Sequence, residues 1–167
     1  VIVCDMQTIL LFQLLLLVVA ANAIPVFAKK LLGPVAAWPL DGGIMLSDGQ
    51  PLLGASKTLR GVVLSVLLTP VIAMLIGLTW HVSLGVAVSA MAGDLASSVL
   101  KRRLGLRPSS QAIGLDQIPE SLLPLLAARW VVPLTIVEAL VGTALFFVGN
   151  LLASRILFKL NLRDTPY

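Results

Sequence analysis

Residues 93–103 read G-D-L-A-S-S-V-L-K-R-R and close an apolar run that begins at Val82. If the helix continues, Asp94, Ser98 and Lys101 stand at i, i+4 and i+7 and share one face. That face carries an acid at the edge of an apolar stretch, a hydroxyl one turn on and a cation one turn beyond. A carboxylate in or near hydrocarbon costs about 2.5–3.5 kcal/mol even on the lenient insertion scales, so its presence needs a reason. Two readings stand open. Asp94 pairs structurally with a neighbouring cation while Lys101, Arg102 and Arg103 mark the cytoplasmic side, or it serves a reaction or a transport step.

The rest of the chain must place that face. Of its 167 residues, 58% are hydrophobic and 12% charged, with a mean hydropathy of +1.01. A soluble domain carries about twice that share of charge, so the composition is that of a membrane protein, and the length is that of one domain. The isoelectric point near 9.7 does not indicate nucleic acid, because the basic residues hug the ends of apolar runs. The single cysteine, Cys4, excludes an internal disulfide and a cysteine-based metal site, and the single histidine, His81, leaves no histidine cluster. Any metal would be a hard, oxygen-liking ion such as Mg2+.

Five membrane spans are expected, at about residues 8–28, 60–77, 79–100, 117–132 and 134–158, within a single membrane domain of residues 1–167. The loops at about 29–59 and 101–116 fall on one side. The first run ends in A-N-A, like a signal-peptidase site, but Asp5 precedes it and Lys29 and Lys30 follow it. That charge bias is inverted for a signal peptide and predicts an uncleaved helix with its N-terminus outside. Pro25 should kink this helix and free a carbonyl, which Asn22 either satisfies or leaves in order to face a polar site. Residues 29–59 are rich in Gly and Pro and predict a turn-built lobe. The hydrophobics Leu40, Ile44, Met45, Leu46, Leu52 and Leu53 imply that the lobe is ordered and packed on the membrane face. Trp80 suits the interfacial belt, and His81 an outer surface. The apolar stretch 118–158 breaks near Arg129, Trp130 and Pro133 into two spans, the first short or tilted. Glu138 is expected to pair with Arg129.

With the N-terminus outside, Lys29, Lys30, Lys57, Arg60, Lys101, Arg102, Arg103, Arg107, Arg155, Lys159 and Arg163 are cytoplasmic, 11 of the 12 basic residues. The positive-inside rule explains those cations but not the acids beside them. Six of the eight acids, Asp41, Asp48, Asp94, Asp116, Glu120 and Asp164, lie on the same side. Four of them sit in D-G-G, D-G, G-D and G-L-D settings. Glycine lets a backbone approach a ligand, and short aspartates coordinate magnesium and its waters. Interleaved with Lys57, Arg102 and Arg103, they suit Mg2+ with a polyphosphate. The G-A-S-K-T segment at 54–58 resembles the tail of a nucleotide-binding P-loop. No strand precedes it and the first glycine is misplaced, which argues against a P-loop ATPase but keeps a lysine and a hydroxyl together for phosphate.

Four motifs occur in order: A-N-A-I-P at 21–25, P-L-D-G-G…D-G-Q-P-L-L-G-A-S-K-T-L-R-G at 39–61, G-D-L-A-S-S-V-L-K-R-R-L-G at 93–105, and L-D-Q at 115–117. With Asn150, Ala153 and Pro166 near the end, the chain resembles the CDP-archaeol synthase family, relatives of phosphatidate cytidylyltransferase. The resemblance implies an all-α integral membrane protein of five helices whose two cytoplasmic loops build a charged CTP·Mg2+ pocket. It implies a CTP-dependent cytidylyltransferase of the cell membrane, with CTP, a membrane lipid phosphate and the bilayer as partners and no nucleic acid. Side-chain chemistry then suggests Asp94 and Asp116 for the metal, and Lys57, Lys101 and Arg102 for phosphate. Thr58 and Ser98 are hydroxyl helpers, and Asn22 and Arg60 line the lipid-phosphate end. Asp41, Asp48, Gly54 and Arg103 complete the substrate-binding set. One departure stands out: family members often carry another Asp shortly after D-Q, whereas here Ile118-Pro119-Glu120 follow. Either Glu120 substitutes or that acid is dispensable.

The rival reading is a small transporter with Asp94 as coupling acid. The chain lacks paired broken helices, and its polar residues gather on one side instead of at the midplane, which weighs against transport. A non-catalytic membrane scaffold fits the density of Asp-Gly and basic motifs in the loops less well still.

Overall fold

The structure, a computed structural model, describes residues 2–107, 110 and 112–159. The motif residue Pro166 and the charged residues Arg163 and Asp164 lie outside the described residues. Among the described residues five helices follow one another: α1 (Ile2–Leu32), α2 (Leu59–Leu75), α3 (Trp80–Arg103), α4 (Gln117–Ala128) and α5 (Ile136–Lys159). Among the described residues there is no strand, only the isolated bridges Pro39 to Thr58 and Met45 to Pro51 within the first loop.

Among the described residues, three stretches are long and apolar enough to cross a membrane: Met6–Leu32, Trp80–Arg103 and Ile136–Ile156. α2, with 17 residues, is about 25 Å long, and α4, with 12, about 18 Å, against a hydrocarbon core of about 30 Å. α4 is thus shorter than its apolar run. Val131 and Val132 both turn their N–H groups back onto the Ala128 carbonyl, and Pro133 cannot continue a helix.

α1 packs on α2 and α3, α3 on α2 and α4, and α4 on α5. Their common core is Leu14, Leu17 and Val18 from α1, Ala73 from α2, Val82 and Val86 from α3, Leu125 from α4, and Ala139 and Phe146 from α5. Phe12, Leu16, Leu67, Val71, Leu140 and Leu145 point outward and are exposed, as expected of a belt facing lipid.

Pro25 has no N–H for the Ala21 carbonyl, and the structure fills that gap from another helix. Ser65 of α2, fully buried, donates its hydroxyl to that carbonyl at 2.8 Å. Asn22 does not repair the break. Its amide donates to Val18 O at 3.0 Å, and its own side-chain oxygen is buried without a partner among the described residues. The α1–α2 crossing is tight at this level, since a side chain on Gly61 would meet Pro25 Cβ at 3.1 Å.

The first loop is ordered, although apolar packing does not hold it. Leu53 is buried and Leu40 and Leu52 are half-buried, but Ile44, Met45 and Leu46 are exposed. Its organiser is Asp41, as shown below. The expected Arg129–Glu138 pair also gives way to a local solution. Glu138 accepts from the N–H and hydroxyl of Thr135, both at 2.7 Å, and Thr135 Oγ1 accepts from the Glu138 N–H at 3.2 Å. This is a reciprocal cap at the start of α5. Arg129 donates instead to the Leu134 carbonyl at 3.0 Å.

Candidate active site

One end of the bundle gathers the start of α2, the last turns of α3, the second loop and the first turn of α4. Thr58 caps α2, accepting from Gly61 N at 3.4 Å, so Lys57 sits where the first loop meets the bundle. Its ammonium lies 2.5 Å from each carboxylate oxygen of Asp94, and both side chains are mostly buried. The Glu120 carboxyl, from the first turn of α4, lies within hydrogen-bonding reach of the Asp94 carboxyl and close to Lys57 and Asp116. A second pair stands beside the first: Lys101 meets Asp116 at 2.6 Å and also donates to the Ser110 carbonyl at 3.1 Å. The other Asp116 oxygen accepts from the Ala112 N–H at 3.0 Å, which closes the second loop.

Arg102 is 1% exposed. Among the described residues it donates once, to the Arg107 carbonyl at 2.8 Å, and its Nε and Nη1 are buried without partners. Asp116 is close enough to act on it. Unsatisfied buried donors carry the full desolvation cost, so a guanidinium left with unmet donors is open to an anionic partner.

Several residues expected at the site have structural partners instead. Asp41 is buried and accepts from the N–H groups of Leu53 at 2.8 Å, Gly43 at 3.0 Å and Gly54 at 3.2 Å, so it and Gly54 knit the first loop. Burial pushes the Asp41 carboxyl up, but those N–H groups outweigh it and hold the group below its ordinary value of 3.8. Asp48 pairs with Arg103, which also donates to Pro51 O at 2.8 Å. The Gln50 N–H, with that guanidinium, holds the Asp48 carboxyl below 3.8. Arg60 donates to the Val35 and Gly33 carbonyls just past the end of α1. Ser98 donates to the Asp94 carbonyl at 2.9 Å, and Thr58 serves as the cap.

Lys101 therefore faces Asp116 and not Asp94, and the acid beside Asp94 is Glu120. The only trace of Glu120 in the sequence was an acid standing near the place of an absent Asp. Among the described residues no three acidic, histidine or cysteine side chains converge as a metal cage. Two adjacent carboxyls fit a hard divalent cation that takes its remaining ligands from substrate phosphates and water.

A sequence model described as CarS-like, CDP-archaeol synthase, matches residues 6–167. The chain belongs to the CDP-archaeol synthase family. Similar family members include the CDP-archaeol synthase of Hyperthermus butylicus, 32% identical over 157 residues and 89% of both chains. That of Sulfurisphaera tokodaii is 32% identical over 137 residues, covering 77% of this chain and 81% of the relative. A solved structure, described as an intramembrane enzyme for archaeal membrane lipid biosynthesis, superposes with a TM-score of 0.66 at 30% identity. The match covers 84% of this chain and 90% of that one. This member of the CDP-archaeol synthase family is thus a multi-pass membrane transferase of lipid biosynthesis, and nothing in its relatives supports transport.

Proposed function

We propose that the chain transfers the cytidylyl group of CTP to the phosphate of an ether lipid of the archaeol type. A lipid phosphate oxygen attacks the α-phosphorus of CTP, the α–β bridging bond breaks, and its electrons leave with diphosphate. The nucleophile is already anionic, so no strong base is required; the chain's work is alignment and charge neutralisation. Lys57, Lys101 and Arg102 offset the phosphate charge. Asp94 and Glu120 would supply the carboxylates for Mg2+, and Asp116 fixes Lys101 and the second loop. Bound there, the cation would draw charge from the phosphates as a Lewis acid.

The observation that carries this reading is the junction of Lys57, Asp94 and Glu120 from three segments, next to a buried Arg102 with unmet donors. The gathering of basic residues at this end supports a cytoplasmic site in the cell membrane. Purified protein in detergent, given labelled CTP and a panel of lipid phosphates, should form a CDP-lipid and diphosphate in equal amounts. EDTA should stop the reaction and Mg2+ restore it. Full turnover in EDTA would remove the metal assignment, and no CDP-lipid with any ether-lipid phosphate would overturn the proposal.

A further inference from the structure

Among the described glycines, Gly93 alone stands where an added Cβ would lie within 3.0 Å of another segment's backbone: 2.2 Å from the Pro119 carbonyl oxygen and 2.6 Å from its carbon. The Glu120 nitrogen would be 3.0 Å away. A flexible side chain could swing aside. A carbonyl in the first turn of α4, on a proline of fixed φ, cannot, so α3 and α4 would have to part. Small residues let membrane helices touch backbone to backbone in this way. Gly93 immediately precedes Asp94, and Pro119 immediately precedes Glu120. The contact therefore joins the two helices one residue from each of the paired carboxyls.

We infer that Gly93 is a positioning residue: its bare α-carbon sets the separation of the Asp94 and Glu120 carboxyls and, through it, the affinity for a divalent cation with nucleotide. The inference rests on the cytidylyl-transfer reading for what those carboxyls hold. It does not require Gly93 to touch a substrate.

Mn2+ binding in the presence of CTP, followed by electron paramagnetic resonance on detergent-purified protein, tests it beside melting temperature. Gly93→Ala should weaken Mn2+ binding by about 10- to 100-fold, as loss of a supporting contact at a metal site does. Added to Glu120→Gln, it should cost little further Mn2+ affinity, because both act on one distance. Two controls separate positioning from crowding. An alanine at Gly85, in the same helix with open space around it, should change neither readout. One at Gly142, 2.9 Å from the ends of Leu11 and Leu125, should lower the melting temperature and leave Mn2+ affinity unchanged.

A Gly93→Ala protein that melts lower but binds Mn2+ normally would overturn the inference, as would full additivity with Glu120→Gln. If Gly93→Ala does not fold, Glu120→Asp retracts the carboxyl by one methylene without touching the helix contact. It should weaken Mn2+ binding at an unchanged melting temperature, and retained affinity would overturn the inference. Wild-type protein that binds no Mn2+ with CTP would instead remove the cytidylyl-transfer reading, and the inference with it.

Discussion

Asp41 and Asp94 both adjoin glycine and both are largely enclosed, yet their surroundings are opposite in kind. Asp41 in the first loop accepts three N–H groups from its own chain. Those donors cannot leave without unfolding the loop, so the carboxylate is fully used in holding it. Asp94 is met by a lysine and by another carboxyl. Two like charges close together oppose each other, and one ammonium balances only one of them. For the fold alone that arrangement is costly, whereas a bound cation, with the nucleotide it carries, would offset the second charge. Both acids have partners on both oxygens, so the kind of partner, fixed backbone N–H groups for Asp41 and ionisable side chains from other segments for Asp94, is what differs between them.

The strongest way to break that contrast is to remove each charge while keeping its shape. Asp94→Asn should lower cytidylyl transfer by about 10²- to 10³-fold, a loss of about 3–4 kcal/mol of transition-state stabilisation. Its melting temperature should stay close to wild type, because Glu120 remains beside Lys57 and one carboxylate–carboxylate repulsion is gone. Both quantities can be read on one purified sample. A destabilised variant with near-normal turnover would move Asp94 into the same class as Asp41.

Asp41→Asn should do the reverse. Asn keeps one acceptor oxygen but no charge, and the N–H groups of Leu53 and Gly54 lose a carboxylate oxygen, a loss of about 1–3 kcal/mol in stability. Affinity for CTP should change little once the protein is folded. The pH dependence has a definite sign. The folded carboxyl lies below 3.8, so its contribution is complete above that value and is lost as pH falls through the lower, folded value. Wild-type melting temperature should therefore drop more steeply below about pH 4 than that of the variant. Equal slopes would show that Asp41 does not organise the loop.

The helices were legible in the sequence because apolar runs, loop glycines and basic ends are local signals. The Thr135–Glu138 cap was missed in favour of an Arg129 pair, although T-x-x-E before an apolar run is a capping pattern. Which cation each acid meets was not legible. Lys101 shares a helix face with Asp94, but the second loop brings Asp116 to it, and Lys57 arrives at Asp94 from 37 positions away. Nor could the sequence show that Ser65 would take the carbonyl freed by Pro25, because that depends on how α1 crosses α2. Glu120 was named as a substitute for an absent Asp, but its place against Asp94 was not legible, because that depends on how α4 packs on α3.

The smallest expected effect belongs to Asp48 and Arg103, which sequence reasoning placed among the substrate-binding residues. In the structure they clasp the first loop to the last turn of α3, and Asp48 also accepts from the Gln50 N–H at 3.0 Å. The Asp48 side chain is exposed, so solvent and salt screen the pair, and such pairs add little to global stability. Asp48→Asn should leave the melting temperature nearly unchanged and weaken CTP binding by less than about tenfold. The change should be local: faster amide exchange at Gly49 and Gln50, where the Leu46 and Asp48 oxygens now accept. Because the folded Asp48 carboxyl lies below 3.8, wild-type protection at these amides should persist at mildly acidic pH and fade only below that value. If Asp48→Asn instead cost as much activity as Asp94→Asn with the loop still protected, Asp48 would belong with the reacting groups. An acid held by backbone N–H in its own loop would then have proved catalytic, and the kind of partner would no longer tell the two acids apart.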